Sequence, residues 1–214
     1  MPEILYADAA VAVVVKPAGV LSQGDAENAM PALLQKRLGG AIFPVHRLDQ
    51  PTGGVMVYAR TQDAAAKLST QMQSEAFGKE YLAVLDGAPE PAEGELNDLL
   101  FFDRQKGKSY AVRRKRAGVK DARLTYRVLA QAEGLTLVRV RLFTGRTHQI
   151  RVQFSSRGWP LTGDGKYGSR NNRCAPALWS AELHLAHPVT GETLTFRSQP
   201  PEAYPWTLFS PDSL

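Results

Sequence analysis

Short apolar runs closed by turn-forming residues recur along this chain, and only two or three helical stretches interrupt them. Val11–Val15 is a β-branched run stopped by Lys16-Pro17, which predicts a strand and a turn. Val55–Ala59, Tyr81–Leu85 and Leu96–Phe102 read as further strands. Thr125–Ala130 and Thr136–Phe143 read as a pair joined at Glu133-Gly134, and Leu183–Leu185 with Thr193–Phe196 as another, joined through Thr190-Gly191. Helices are predicted over Pro31–Leu38, stopped by Gly39-Gly40; over Gln62–Phe77, with Ala65, Leu68, Met72 and Ala76 on one stripe and Gly78 as its stop; and over Thr147–Ser156. Strand and helix do not alternate regularly, which argues against a doubly wound parallel sheet. The expected architecture is α+β: a mixed, largely antiparallel sheet, with helices on one face and the other face left to line a cleft.

The chain has 214 residues, enough for one substantial core, and shows no internal repeat. A single domain over residues 1–214 is expected. No apolar stretch reaches the ~18 residues of a membrane span, and the N-terminus lacks a basic region followed by an apolar run, so a cytoplasmic location is expected. Cys174 is the only cysteine, which rules out an internal disulfide or a thiolate metal cluster. The net charge of +5 is unevenly spread. Arg104–Arg127 carries ten Lys/Arg and one acid, Arg141–Arg173 carries seven and one, and all other residues together are acidic by ten charges. Two basic clusters on an otherwise acidic chain point to a polyanion partner. A solvated basic loop is the plainer alternative for either cluster alone.

Three polar clusters can carry chemistry. His46-Arg47-Leu48-Asp49-Gln50-Pro51-Thr52-Gly53-Gly54 precedes a strand, and its proline and glycines permit a tight path that can expose one carboxylate on a rigid loop. An Asp in such a loop is otherwise a turn former. Thr144-Gly145-Arg146-Thr147-His148-Gln149-Ile150-Arg151 follows a strand and opens a helix. Pro160–Gly168 is rich in turn formers. The kinase-like look of His46–Asp49 fails for want of a glycine-rich loop and an Asp-Phe-Gly element. Gly163-Asp164-Gly165-Lys166 fails the spacing of a phosphate loop. His46, His148, His184 and His187 form no metal-type pair, so no metal is expected.

In this order the clusters resemble the RluA-type family of RNA pseudouridine synthases. His46-Arg47-Leu48-Asp49 with Thr52 and Gly54 resembles the catalytic-aspartate motif, Lys16-Pro17-Ala18-Gly19 the N-terminal Lys-Pro-x-Gly element, and Lys79-Glu80-Tyr81 the Lys-x-Tyr element. Thr144–Arg151 resembles the Gly-Arg-Thr-His-Gln-Ile-Arg motif, and Gly158–Gly168 the stretch that follows it. The resemblance spans about Ile4 to Tyr204, and a bare catalytic domain without a separate N-terminal RNA-binding domain is expected. Gly53 stands where the family usually has serine, and Gln153 where histidine is common.

The resemblance implies the pseudouridine synthase fold and isomerisation of uridine to pseudouridine in ribosomal or transfer RNA, without cofactor and by a monomer. Asp49 would be the reactive carboxylate, Arg146 its guanidinium partner and Tyr81 the ring packed on the target base. Ile150 would belong to the apolar wall. His46, Arg47, Thr52, His148 and Arg151 would contact RNA or support the loops. Arg113-Arg114-Lys115-Arg116, Arg157, Lys166, Arg170 and Arg173 would grip phosphates. Two other readings stand beside this one: an RNA-binding protein without catalysis, and a hydrolase using Asp49, which would want a second acid or a metal.

Overall fold

The computed structural model describes residues 2–74 and 76–213. Contacts divide the chain into two compact units, 1–79 with 179–200, and 80–178 with 201–214.

In the first unit β1 (Glu3–Ala7) pairs antiparallel with β2 (Val11–Lys16). Helix α1 (Met30–Leu38) follows, then the short β3 (Phe43–Pro44) and β4 (Gly53–Ala59). β4 pairs antiparallel with β2 and β3, and parallel with β10 (Leu178–Ala186) through Gly53↔Trp179 and Gly54↔Ser180. β11 (Thr193–Arg197) closes the edge against β10. All seven residues of β4 are buried, as expected of a strand covered on both faces. One core gathers Val11, Val13, Val55, Val57, Leu183 and Leu185 under Ala64 and Leu68 of α2 (Gln62–Gln71). Thr61 caps α2 by accepting from the Ala64 amide.

Helix α2 is shorter than the predicted Gln62–Phe77, of which Glu75 lies outside the described residues. Phe77 leaves the helical path to join the core beside Leu68. Gly78 does not end the helix; it opens β5 (Gly78–Asp86), and a side chain there would collide with the His184 ring.

In the second unit the strand order is β5, β9 (Leu135–Leu142), β8 (Val119–Ala132), β6 (Glu93–Asp103) and β7 (Lys108–Val112). β6, β7, β8 and β9 are joined by antiparallel pairings. The β8–β9 turn is the predicted Glu133-Gly134, with φ of 51° and 75°, both left-handed as a two-residue hairpin requires. The basic segment after β6 forms the hairpin with β7 and then an exposed loop before β8. Helix α3 (Gln149–Ser155) buries Val152 against Leu100 and Ala122, and Phe154 meets Tyr126 edge to face. The sheet is therefore mixed and mostly antiparallel, as the sequence predicts.

Candidate active site

The first unit holds the aspartate loop. Asp49 is half-buried, between buried Leu48 and exposed Gln50. Its carbonyl accepts from the Thr52 amide at 3.0 Å, which closes the turn. The flanking backbone is pinned from β2 and the segment after it. The Lys16 ammonium is fully buried and donates to the carbonyls of Pro17 (2.9 Å), Val20 (2.6 Å) and Gln50 (3.1 Å). Gly19 donates to the Gln50 carbonyl, and the Gln50 amide group donates back to the Gly19 carbonyl. Ser22 donates to the Leu48 carbonyl at 2.9 Å, and Tyr58 donates to that of Ser22. Burial pulls the Lys16 ammonium down to about 8, and the charge of Asp49 opposes the fall. Lys16 was legible only as part of a motif; its place behind the aspartate loop was not.

His46 turns inward. Its Nε2 accepts from the Val57 amide at 3.1 Å, and its ring meets Phe77 edge-on. Burial, and then the Lys79 charge, push its pKa down to about 3, so the imidazole is neutral. Of the two roles expected of it, loop support fits this geometry. Arg47 is exposed, and Thr52 is buried beside Asp49. Gly53 has a steric reason to lack a side chain. A Cβ there would enter the Trp179 ring, just as one on Gly54 (φ 114°) would meet the Ser180 backbone.

The second unit holds the arginine loop. Gln149 organises it from the start of α3. Its Oε1 accepts from the Thr144 hydroxyl (2.8 Å) and the Arg146 amide (3.0 Å), while its Nε2 donates to the Arg123 carbonyl (3.1 Å). Arg146 is half-buried, and its Nε donates to the Asp121 carbonyl at 2.8 Å. His148 has φ +54°, an uncommon conformation for a residue other than glycine. Its Nδ1 lies 2.9 Å from the Tyr167 hydroxyl, which accepts from the Ser109 amide at 2.8 Å. Ser109 Oγ donates to the Thr147 carbonyl, so β7 braces the loop too.

Arg151 is 5% exposed, and its guanidinium is committed to Asp164 through Nε–Oδ2 at 2.6 Å and Nη2–Oδ1 at 2.8 Å. It also lies over the Tyr167 ring at 5.1 Å. This pairing ties the start of α3 to the Asp164 loop. Ile150 is buried, and Tyr81 is 5% exposed on β5. Gln153 donates from Nε2 to the Leu96 carbonyl (3.1 Å) and to Asp98 (2.8 Å), tying α3 to β6. Arg157 is paired with Asp98, and Lys115 with Asp121. Lys166 donates to the Gly107 carbonyl, whereas Arg113, Arg114 and Arg170 are exposed.

The arrangement offers a braced half-buried carboxylate in one unit and a braced half-buried guanidinium in the other. Residues 10–156 match the family model for RNA pseudouridylate synthase. The chain belongs to that family. Two relatives named ribosomal large subunit pseudouridine synthase D are similar: one from Zymomonas mobilis, 34% identical over 94% of this chain and 69% of its own length, and one from Pseudomonas aeruginosa, 35% identical over 96% and 70%. A dual-specificity RNA pseudouridine synthase, RluA, from Haemophilus influenzae is 33% identical over 92% of each. The solved structure of human RNA pseudouridylate synthase domain containing 4 superposes with a TM-score of 0.76 at 26% identity, over 93% of this chain and 88% of that one. This pseudouridine synthase is accordingly an isomerase acting on RNA. No helix among the described residues is long and apolar enough to cross a membrane.

Proposed function

We propose that this synthase isomerises particular uridines of ribosomal or transfer RNA, as a cytoplasmic monomer, with Asp49 as the reacting carboxylate. The observation that carries the assignment is the aspartate loop. Its Asp49 side chain is half-buried while the carbonyls on either side are held by Ser22 and by Lys16. A reacting group held this way loses little freedom on reaching its target. Two relatives are named for the ribosomal large subunit, which supports ribosomal RNA as one substrate class.

The reaction breaks the N1–C1′ bond of uridine, turns the base and joins C5 to C1′, and the C5 proton is lost to solvent. No atom is added and nothing is oxidised. A carboxylate serves either by attacking carbon or by taking a proton from the sugar, and both routes need the anion. The Lys16 ammonium feels the charge of Asp49 from behind the loop. Arg146 supplies the guanidinium that the family resemblance assigns to the same carboxylate, and Tyr81 the ring for the extruded base. Arg47, Thr52 and His148 line or support the loops that receive the nucleotide. The target must leave its stack, so unpaired loop segments are the favoured substrates.

The test is to incubate the protein and Asp49→Ala with unmodified cellular RNA and to assay pseudouridine and free uracil. Pseudouridine from the intact protein alone supports the reading. Free uracil, or pseudouridine from both proteins, overturns it.

A further inference from the structure

Three strands of the second unit carry an ordered array of side chains on one face. The registers set Glu93 opposite Arg127 and Arg127 opposite Arg139, Glu95 opposite Thr125 and Thr125 opposite Arg141, and Asn97 opposite Arg123. The Phe143 amide donates to the Arg123 carbonyl, which extends the last row to Phe143. Side chains alternate along strands, so these nine share a face. Their neighbours Leu96, Leu124, Tyr126 and Val140 are buried toward the other, where Phe154 of α3 packs on Tyr126. Arg127, Arg139 and Arg141, with Glu80 and Glu93, line an open groove of about 540 Å³.

At one end of this array, three residues before Arg146, stands Phe143, an aromatic ring 36% exposed. A single exposed aromatic residue needs no explanation of its own. This one is held. The Arg123 guanidinium lies 4.4 Å from its centroid and is itself fixed by Glu95 at 2.8 Å. Arg141 stands farther off, at 5.3 Å, with an exposed side chain. A ring steadied by one anchored cation and approached by a looser one is suited to receive a flat partner. An incoming ring would displace the looser cation and leave it available to an anion attached to that partner. A nucleotide combines both features. Arg139 is the next residue along the same face, about 6.7 Å farther on, a spacing close to the phosphate-to-phosphate reach of an extended single strand. Its bond to Glu80 is long, at 3.5 Å. Glu93, opposite Arg127, puts a negative charge at the far end and closes the basic run.

We propose that this face is a single-stranded RNA track beside Arg146: Phe143 stacks on an unpaired base flanking the target, and Arg141 and Arg139 take the next two phosphates. The track rests on the reading that the protein acts on RNA, and it adds the residues that choose an unpaired flank over a paired one. Aromatic stacking and a basic groove are the two elements by which proteins hold single strands.

The test uses the full chain and a short fluorescein-labelled oligouridylate. Phe143→Ala should weaken binding about 5- to 100-fold, whereas Phe143→Trp should stay within about two-fold of the intact protein. Arg141→Ala should lower the slope of log Kd against log salt by about 0.7, and Phe143→Ala should leave that slope unchanged. On an RNA that the intact protein modifies, Phe143→Ala should raise KM and leave kcat as it was. Binding by Phe143→Ala within about two-fold of intact, with folding verified by circular dichroism, overturns the track. Equal weakening by Phe143→Trp and Phe143→Ala also overturns it. If the intact protein binds oligouridylate through Phe143 yet makes no pseudouridine in any RNA, the track stands and the proposed reaction fails.

Discussion

Asp164→Asn should be among the most damaging single changes outside the reacting groups. Asp164 and Arg151 are 1% and 6% exposed at their side chains, and they meet through two charge-assisted hydrogen bonds of 2.6 and 2.8 Å. The substitution keeps shape and removes the negative charge, which leaves a buried guanidinium without its counter-charge. Breaking a buried pair from one side costs about 3–5 kcal/mol. For a chain of this size each kcal/mol moves the melting temperature by about 2–4 °C, so the expected fall is about 6–20 °C. Arg151→Met combined with Asp164→Leu should recover most of the loss, because apolar replacement of both partners is often neutral. Thermal and urea unfolding followed by circular dichroism measure all three variants. A loss below about 1 kcal/mol for Asp164→Asn would refute the reasoning, since that is an ordinary surface-scale effect. So would a double variant as unstable as the single one.

Three further outcomes are expected. The neutral, half-buried His46 has a folded pKa of about 3, below its value in the unfolded chain, so the unfolded state binds more protons between these values. Its contribution to stability is complete above about pH 6.5 and is lost as pH falls toward 3; urea unfolding from pH 7 to 4 should show a slope that His46→Phe reduces. Gly53→Ser should destabilise by about 1–3 kcal/mol through collision with Trp179, and Trp179→Leu should relieve most of that penalty in a double-variant melt. Arg146→Lys should lose turnover by about 100-fold or more despite retaining its charge, because the planar fork is gone; near-normal turnover would count against a role for the guanidinium.

How much of this was legible in the sequence depends on the range of the forces involved. The Glu133-Gly134 hairpin could be read because two adjacent residues supply both left-handed positions. The β-branched runs at Val11–Val15 and Val55–Ala59 could be read for the same local reason, although both strands extend further than those runs. β1 went unread because Glu3–Ala7 contains no fully buried residue to mark it. Helix α3 starts two residues later than the sequence predicts. His148 is held out of the helix by Tyr167, nineteen positions away, and no local propensity reports that. Arg151 illustrates the same limit at the candidate site. Its motif leaves RNA contact and loop support open, and the Asp164 carboxylate that engages its guanidinium lies thirteen residues later in a turn-rich loop. Gly53 looked like a departure from the family pattern, and only the parallel pairing of β4 with β10 supplies its cause.

The carboxylate at position 49 is tested most directly by tritium release from RNA labelled at uridine C5, followed in a single turnover. The intact protein should release the label as C5 joins C1′, and Asp49→Asn should release none above background while binding the RNA with similar affinity. Release by the asparagine variant at a rate comparable to the intact protein would contradict the account.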